Sequence, residues 1–361
     1  MERCDRRVVR GERIRVHACR GKDRWRLRPC EDRLHGGPGA IRAPRRPRDD
    51  HHHDRFRRDP RSGPCAVSVV SVDTRDAAEV IKVLDAAAEC MRTAEGRRGA
   101  TKWIPSRGTL FATGDLHDNI DHLQTILKIA DLDRWPHHHI ILHELIHGEV
   151  SMGGMDTSYR MLVRAAELVV AYPRQVHPLL ANHELAQLCK LRISKGAGEQ
   201  VSQFLDGLEW VFGDQAPHVS DAIDRFILAM PLALRTTSGL FCAHSTPPPY
   251  EVESVDVDAL DRDLDPMSYD DRDGLAWQFT WGRDQTPESS KRMAERLGAQ
   301  LMVCGHAHVE YGAEALSPEL LLLNSDHARG VVVEILLEGP MPPASELVDE
   351  VHYLALIGLK G

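Results

Sequence analysis

TLFATGDLHDN (109–119) decides the fold, because a short apolar strand runs there directly into acidic and amide residues. Apolar residues then recur at helical spacing between residues 120 and 130, which predicts a helix. HHIIL (138–142) and QVHPLLA (175–181) repeat the order, since each is a predicted strand that ends at polar residues and leads into a helix. The repeated order of strand, polar loop and helix predicts an α/β fold with helices outside the sheets.

Further elements are predicted on both sides of this repeat. LALRTTSGLFCAH (232–244) predicts a hairpin that turns at Ser238-Gly239. Additional helices are expected at 77–94 and 157–171, and later strands within 299–308, 320–326 and 330–337. The domain organisation that we predict is a disordered Arg-rich segment at 1–66, a segment with the first helix at 67–100, the main domain at 101–338 and a C-terminal tail at 339–361.

The net charge of −9 is unevenly distributed along the 361 residues. Counted from the sequence, residues 1–64 carry a net charge of +10 and the remainder carries −19. The first segment offers little apolar surface to bury, so we predict that it is disordered, and an upstream read-through with the natural start near 67–72 is an alternative. We do not expect nucleic-acid binding, because acidic residues interleave with the arginines and aromatic residues do not accompany them.

Membrane insertion and secretion are not expected either. The sequence contains no apolar run of the ~18–20 residues that span a bilayer, and its basic start lacks the apolar stretch of a signal peptide. The eight cysteines form no CxxC pair, which is typical of reduced thiols, so the predicted location is cytoplasmic. Two runs of three histidines, at 51–53 and 137–139, are predicted to be solvated imidazoles rather than metal ligands.

Acidic, amide and histidine side chains follow nearly every predicted strand of the main domain. Because ligands bind beyond the carboxyl ends of strands in α/β sheets, we expect these side chains to converge in one crevice. Oxygen and nitrogen ligands without thiolate suit Mn, Fe or Zn, and their number is sufficient for two adjacent metals. The residues concerned are Asp115, His117, Glu144, Asn182, His183, His244, His306 and His308.

GDLHDN, ANHE, CAHS and GHAH, in this order, resemble the signature of the calcineurin-like metallophosphoesterase superfamily over about 109–330. That signature reads GDxH, GDxxD, GNH[ED], a single His and GHxH, and its fold is a two-sheet β-sandwich flanked by helices (αββα). SGLFCAH is similar to the strand before the metal-binding His of the serine/threonine phosphoprotein phosphatases. RDGLAWQFTWGRD (272–284) is similar to the tryptophan-containing segment of the same branch.

The resemblance implies a site with two divalent metal ions (Mn, Fe or Zn). Asp115, His117 and His308 would bind the first metal, and Asn182, His244 and His306 would bind the second. Glu144 stands where the family has the Asp that bridges both metals.

The resemblance also implies the reaction, which is hydrolysis of a phosphomonoester by a hydroxide shared between the metals. The implied catalytic residues are Asp115 and His183, with His183 as general acid beside the leaving-group oxygen. Arg283 and Arg262 are the candidates to replace the phosphate-binding arginines of the branch. The expected partner is a phosphorylated substrate, either a protein or a small molecule.

HELIH (143–147) departs from the GDxxD motif of the family. Glu144 is one methylene longer than the bridging Asp, and His147 replaces the second Asp, which supports the catalytic His in the phosphoprotein phosphatases. Gly148 stands where those enzymes carry a phosphate-binding Arg. These departures leave open a catalytically weakened phosphoesterase that acts as a binding protein.

The same five residues also match the HExxH pattern of zinc metallopeptidases. In that alternative, His143 and His147 on one helix would bind a single zinc, Glu144 would act as the base and Glu167 could be the third ligand. The pattern follows a predicted strand and leads into Gly148, and it leaves the other polar clusters unexplained. The two interpretations predict different effects of substituting Asn182 and His306, which would abolish only a phosphatase activity.

Overall fold

The structure is a computed structural model, and it describes residues 72–148, 153–190, 194–195 and 198–358. The predicted disordered segment 1–66 and the histidine run 51–53 lie outside these residues. None of the helices in the described part of the chain combines the length and the apolar character that a bilayer crossing requires.

The strands and helices are numbered here in chain order. The strands are β1 (Arg97–Arg98), β2 (Thr101–Trp103), β3 (Thr109–Asp115), β4 (His138–His143), β5 (Val176–Pro178), β6 (Ser194–Lys195), β7 (Gly198–Glu199), β8 (Ala233–Arg235), β9 (Leu240–Ala243), β10 (Leu301–Cys304), β11 (Ala313–Ser317), β12 (Leu320–Leu323), β13 (Val331–Leu336) and β14 (His352–Tyr353). The helices are α1 (Ala77–Arg92), α2 (Ile120–Ala130), α3 (Tyr159–Ala171), α4 (Asn182–Leu188), α5 (Gln200–Phe212), α6 (Ala216–Ala229), α7 (Leu275–Trp281), α8 (Pro287–Leu297), α9 (Ala344–Val348) and α10 (Leu354–Gly358). Short 3-10 helices lie at Gly213–Gln215, Val257–Asp261 and Pro266–Asp270.

Two sheets form the centre of the fold. One has seven strands in the order β1-β2-β8-β9-β10-β12-β11, and the other has five in the order β14-β13-β3-β4-β5. Apolar residues of both sheets, including Leu110, Ala112, Leu240 and Val303, form one buried cluster. Helices cover the opposite faces, so the predicted two-sheet α/β sandwich flanked by helices is confirmed.

Strand β3 shows how the sequence produces this arrangement. Its side chains alternate, so Leu110 and Ala112 join the cluster of both sheets while Phe111 joins the cluster that also contains residues of the helices. Every residue of β3 is buried, as expected for a strand covered on both faces. The strand extends two residues beyond the predicted 109–113, and Asn119 then begins α2 by accepting a hydrogen bond from the His122 amide at 3.0 Å.

The other predicted strands and helices are present, with local differences. Strands β8 and β9 pair in antiparallel fashion on either side of Ser238-Gly239, as the predicted hairpin requires. Strand β5 is shorter than the predicted 175–181. The segment 339–361 is more than a tail, because α9 packs on β11, β12 and β13, and β14 extends the five-stranded sheet. The expectation of solvated imidazoles at 137–139 is wrong for His139, whose side chain is buried because it lies within β4.

The carboxyl ends of three parallel strands, β3, β4 and β5, lie at one edge of the smaller sheet. A bridge between Asp115 and Asn324 connects this edge to the strand-end residues after β12, and the carbonyl of Asp115 accepts a hydrogen bond from the Ser325 amide at 3.0 Å. The polar residues that follow strands of both sheets are thereby brought to one place.

Candidate metal centre

Asp115 is the last residue of β3, and its side chain is buried. Its Oδ1 accepts a hydrogen bond from the backbone amide of His306 at 2.9 Å, so it connects the end of β3 to the turn after β10. Gly305 makes this approach possible, because a Cβ there would lie only 2.4 Å from Asp115 Oδ1.

Glu144 follows β4 directly, in a left-handed backbone conformation with φ of +43°. Its Oε2 lies 3.2 Å from His244 Nε2 and 3.9 Å from His117 Nε2. Its Oε1 lies 3.3 Å from His183 Nε2. The buried carboxylate of Glu144 is therefore surrounded by three imidazoles from three different segments of the chain.

Two groups of possible metal ligands share this carboxylate. Within each group, one donor atom from every residue lies within 4.8 Å of the others. The first group is Asp115, His117 and Glu144, and the second is Glu144, His244 and His306. Asn182 adjoins the second group, since its Oδ1 lies 2.6 Å from His244 Nε2 and 2.9 Å from His306 Nδ1.

The charges in this cluster are closely coupled. Burial raises the pKa of Asp115 well above its usual range, and the negative charge of Glu144 raises it further. Burial would raise the pKa of Glu144 too, but His244, His117 and His183 outweigh burial and hold it well below its usual range. Burial lowers the pKa of His306 to about 2, so its imidazole is neutral, the form that binds metals.

The donor set fits a pair of divalent cations. Two buried carboxylates lie close together, an arrangement that positive charge would stabilise. His244 Nδ1 and His306 Nε2 are buried and have no hydrogen-bond partner within the described residues, although such atoms are normally satisfied. The ring of His117 is held in orientation by its Nδ1, which donates a hydrogen bond to the carbonyl of Ile146 at 3.1 Å. Metal-binding histidines commonly make such a bond with the ring nitrogen that does not bind the metal.

Glu184 is a residue of the site to which the sequence analysis gave no role. It follows His183 in ANHE, and its Oε1 accepts hydrogen bonds from the backbone amides of Leu145 and Ile146 at 2.7 and 3.2 Å. Burial raises the pKa of Glu184 to about 8, and the charge of Glu144 contributes. The acidic last position of the GNH[ED] motif was the signal that could have revealed it.

Comparison with protein families identifies the domain. The model of the calcineurin-like phosphoesterases matches residues 108–310, which is more than half of the chain. The chain belongs to the calcineurin-like phosphoesterase family. By this membership, the protein is a phosphoric ester hydrolase. A comparison with curated proteins finds no match.

Comparison with solved structures finds proteins that are similar to this phosphoesterase at low sequence identity. A protein serine/threonine phosphatase from Saccharomyces cerevisiae, described as similar to human phosphatase PP5, is 13% identical with a TM-score of 0.56, covering 72% of this chain and 83% of its own. A cold-active protein tyrosine phosphatase is 13% identical with a TM-score of 0.45, covering 68% of this chain and 77% of its own. A cold-active protein-tyrosine phosphatase from a psychrophilic Shewanella species is 14% identical with a TM-score of 0.45, covering 68% of this chain and 78% of its own.

The HELIH segment of the phosphoesterase is not helical. His143 is the last residue of β4, and the turn that follows contains Glu144 and His147 with φ of +43° and +61°. The two histidines therefore do not share a helix face. Glu167 lies on α3, where it accepts a hydrogen bond from the Val72 amide at 2.6 Å and pairs with Arg164. The zinc metallopeptidase alternative is wrong for this geometric reason.

The two candidate phosphate-binding arginines lie in different places. Arg283 lines an open cleft together with His306 and His308. Arg262 does not line this cleft; its guanidinium pairs with Asp256 on the surface, and its carbonyl accepts a hydrogen bond from Ala100 at 3.2 Å. The loop before α7 therefore holds Arg262 against the turn between β1 and β2, away from this cleft.

His308 is also placed differently from what the resemblance implies. It belongs to neither ligand group found among the described residues. Its ring lies 5.7 Å from that of His327, and it forms part of the wall of the cleft that contains Arg283. The ligand groups thus bring together all the implied metal ligands except His308, with Asn182 adjoining the second group.

Proposed function

We propose that this phosphoesterase hydrolyses a phosphomonoester with two divalent cations bound side by side. The observation that supports the proposal is that Glu144 contributes to both ligand groups, as a bridging carboxylate must. The first cation would be held by Asp115, His117 and Glu144, and the second by Glu144, Asn182, His244 and His306. Mn, Fe and Zn all suit these oxygen and nitrogen ligands.

A pair of bound cations supplies a water of lowered pKa as the nucleophile and positive charge against the phosphate oxygens. His183 would donate the proton that the leaving-group oxygen needs, because its buried imidazole lies 3.3 Å from Glu144 at the ligand groups. Asp115 would hold His306 in place through the His306 amide while it binds the first cation.

Arg283 would bind the phosphate. It is exposed and lines the same cleft as His306, so its guanidinium can reach an oxygen of an ester bound at the ligand groups. The cleft opens to the surface, so the phosphate of a small molecule or of a phosphoprotein could enter it. We expect a cytoplasmic location, because the four cysteines of the described residues are free thiols.

Metal content and turnover together test the proposal. The wild-type protein, loaded with Mn, Fe or Zn, should contain about two ions per chain and hydrolyse 4-nitrophenyl phosphate faster than bis-(4-nitrophenyl) phosphate. Glu144→Gln should lose both ions, whereas Asn182→Ala and His306→Ala should each lose one and abolish turnover. His139→Gln is a matched control, because this buried histidine of β4 belongs to neither ligand group.

A catalytically weakened phosphoesterase that acts as a binding protein is the second candidate. The replacement of an acidic residue by His147, together with Gly148 at the position of an arginine, favours it. Full occupancy by two ions without turnover of either ester would support this candidate and contradict the first. Loss of one ion in Glu144→Gln, with the other retained, would contradict the shared carboxylate.

A further inference from the structure

His147 forms a buried pair with a residue that no motif of the sequence singles out. Its Nδ1 lies 2.6 Å from Asp156 Oδ2, and both side chains are buried. Burial would raise the pKa of Asp156, but the hydrogen bond and the charge of His147 hold it below its usual value. The carboxylate is therefore the acceptor, and His147 Nδ1 carries the donated proton.

The pair is fixed from several sides. Asp156 Oδ1 accepts a hydrogen bond from the backbone amide of Ser158 at 2.8 Å. The Ser158 hydroxyl oxygen accepts a hydrogen bond from the backbone amide of His147 at 3.0 Å. Helix α5 packs directly against the turn, since a Cβ at Gly207 would lie 1.9 Å from the carbonyl oxygen of Asp156. These contacts hold the His147 ring in one orientation, in spite of its backbone φ of +61°.

The other ring nitrogen of His147, Nε2, is buried and has no hydrogen-bond partner within the described residues. The ring centroid lies 5.2 Å from that of His183, and Phe204 packs edge-on at 5.5 Å. A buried ring nitrogen without a partner, on a ring packed against a proton-donating histidine, is an arrangement that a structural role alone does not require.

We infer that Asp156 and His147 are positioning residues that hold the His183 imidazole in the orientation from which it donates a proton to the leaving group. The inference rests on the proposed function, in which His183 is the general acid. Asp156 fixes the orientation of His147, and the His147 ring, packed against that of His183, then limits the orientations open to His183. The proton itself passes from His183 to the oxygen of the departing alcohol.

The dependence of turnover on the leaving group tests this inference. Phenyl phosphate needs a proton donor, whereas 2,4-dinitrophenyl phosphate leaves as a stable anion. Asp156→Asn and His147→Gln should lower kcat for phenyl phosphate about 10-fold or more and kcat for the dinitrophenyl ester about 2-fold or less. KM and the bound metal should stay close to those of the wild-type protein, whereas the melting temperature should fall because a buried pair is broken.

Controls and a second measurement separate the possible outcomes. His139→Gln removes another buried histidine of the same sheet and should affect both esters equally. Equal losses on both esters in Asp156→Asn and His147→Gln, or loss of metal, would overturn the inference alone. A metal-loaded wild-type protein that hydrolyses neither ester would overturn the proposed function and the inference with it. Independently of activity, ¹⁵N NMR should show a proton on His147 Nδ1, and a ring whose only proton is on Nε2 would contradict the pair.

Discussion

The carboxyl group of Glu184 accepts a hydrogen bond from the backbone amide of Leu145 at 2.7 Å and so connects the first turn of α4 to the turn after β4. Glu144 directly precedes Leu145, so the same bond fixes the carboxylate shared by the two ligand groups. Asn182 and His183 lie in the same turn of α4 as Glu184. One buried side chain thus fixes the position of Glu144, which follows β4, relative to Asn182 and His183, which follow β5.

Replacing Glu184 should therefore weaken both stability and metal binding. Glu184→Ala leaves two buried amides without an acceptor, at a cost of about 2–4 kcal/mol in the free energy of unfolding. It should also lower the affinity for metal about 10-fold or more, because Glu144 is no longer held. Glu184→Gln keeps one acceptor oxygen, so it should lose much less stability and much less metal affinity. Urea unfolding and metal titration measure the two effects, and equal losses in both variants would contradict this role.

The two arginines give a matched pair of variants. Arg283→Ala should raise KM for a phosphomonoester roughly 10- to 100-fold, because a hydrogen bond from a charged donor to the phosphate is lost. Arg262→Ala should change KM by about 2-fold or less, since its guanidinium pairs with Asp256 at the surface. Steady-state kinetics of the two variants side by side measure the difference, and similar values of KM would count against the assignment of Arg283.

Gly148 should not tolerate a side chain. A Cβ there would lie 2.8 Å from both the Asp118 Cβ and the carbonyl oxygen of His117. Gly148→Ala should therefore cost about 1–3 kcal/mol and weaken metal binding by displacing the turn that carries His117.

A double-mutant cycle identifies the cause of that loss. Asp118 has a φ of +59°, where glycine is favoured, and Asp118→Gly removes one of the two clashing atoms. The cost of Gly148→Ala should be smaller in the Asp118→Gly background than in the wild-type protein. Equal costs in both backgrounds, determined by urea unfolding, would show that the Asp118 side chain is not the obstacle.

His139 should make the stability depend on pH below neutrality. Burial lowers the pKa of His139 to about 4, against about 6.5 for an unfolded histidine. Between these values the unfolded chain binds a proton that the folded protein does not, so the free energy of unfolding falls as the pH decreases from 6.5 to 4. The change attributable to this residue is up to about 3 kcal/mol.

His139→Gln should remove that part of the pH dependence, as urea unfolding at a series of pH values between 4 and 7 can measure. His137→Gln is the control, because this neighbour in the histidine run is exposed and its loss should leave the slope unchanged. A slope that stays the same in His139→Gln would contradict the assignment.

Much of the fold follows from local patterns. The alternation in TLFATGD and the helical spacing after Asn119 are properties of short segments, so β3 and α2 are predicted within two residues. The tail at 339–361 is predicted poorly, because whether α9 and β14 pack depends on the surfaces that other segments present. His139 is buried for the same kind of reason, although it belongs to a run of three histidines.

The site, like the fold, has parts that local patterns predict and parts that depend on packing. Asp115, Asn182, His244 and His306 each follow a predicted strand, so their convergence could be expected from the order of the motifs. The separation of Arg283 from Arg262 could not be expected, because both lie in connections between helices whose course no periodic pattern describes. The pairing of His147 with Asp156 depends on how α5 packs against Asp156.

The sequence by itself determined the layered α/β fold, the family and the set of side chains at the strand ends, because these depend on periodicity and on residue type at fixed offsets. Only the tertiary structure decided that Glu144 is shared by two ligand groups, that HELIH is a strand end and a turn, and which arginine lines the cleft. Those are distances between segments far apart in the chain, and they are set by the packing of two sheets and their helices rather than by any local pattern.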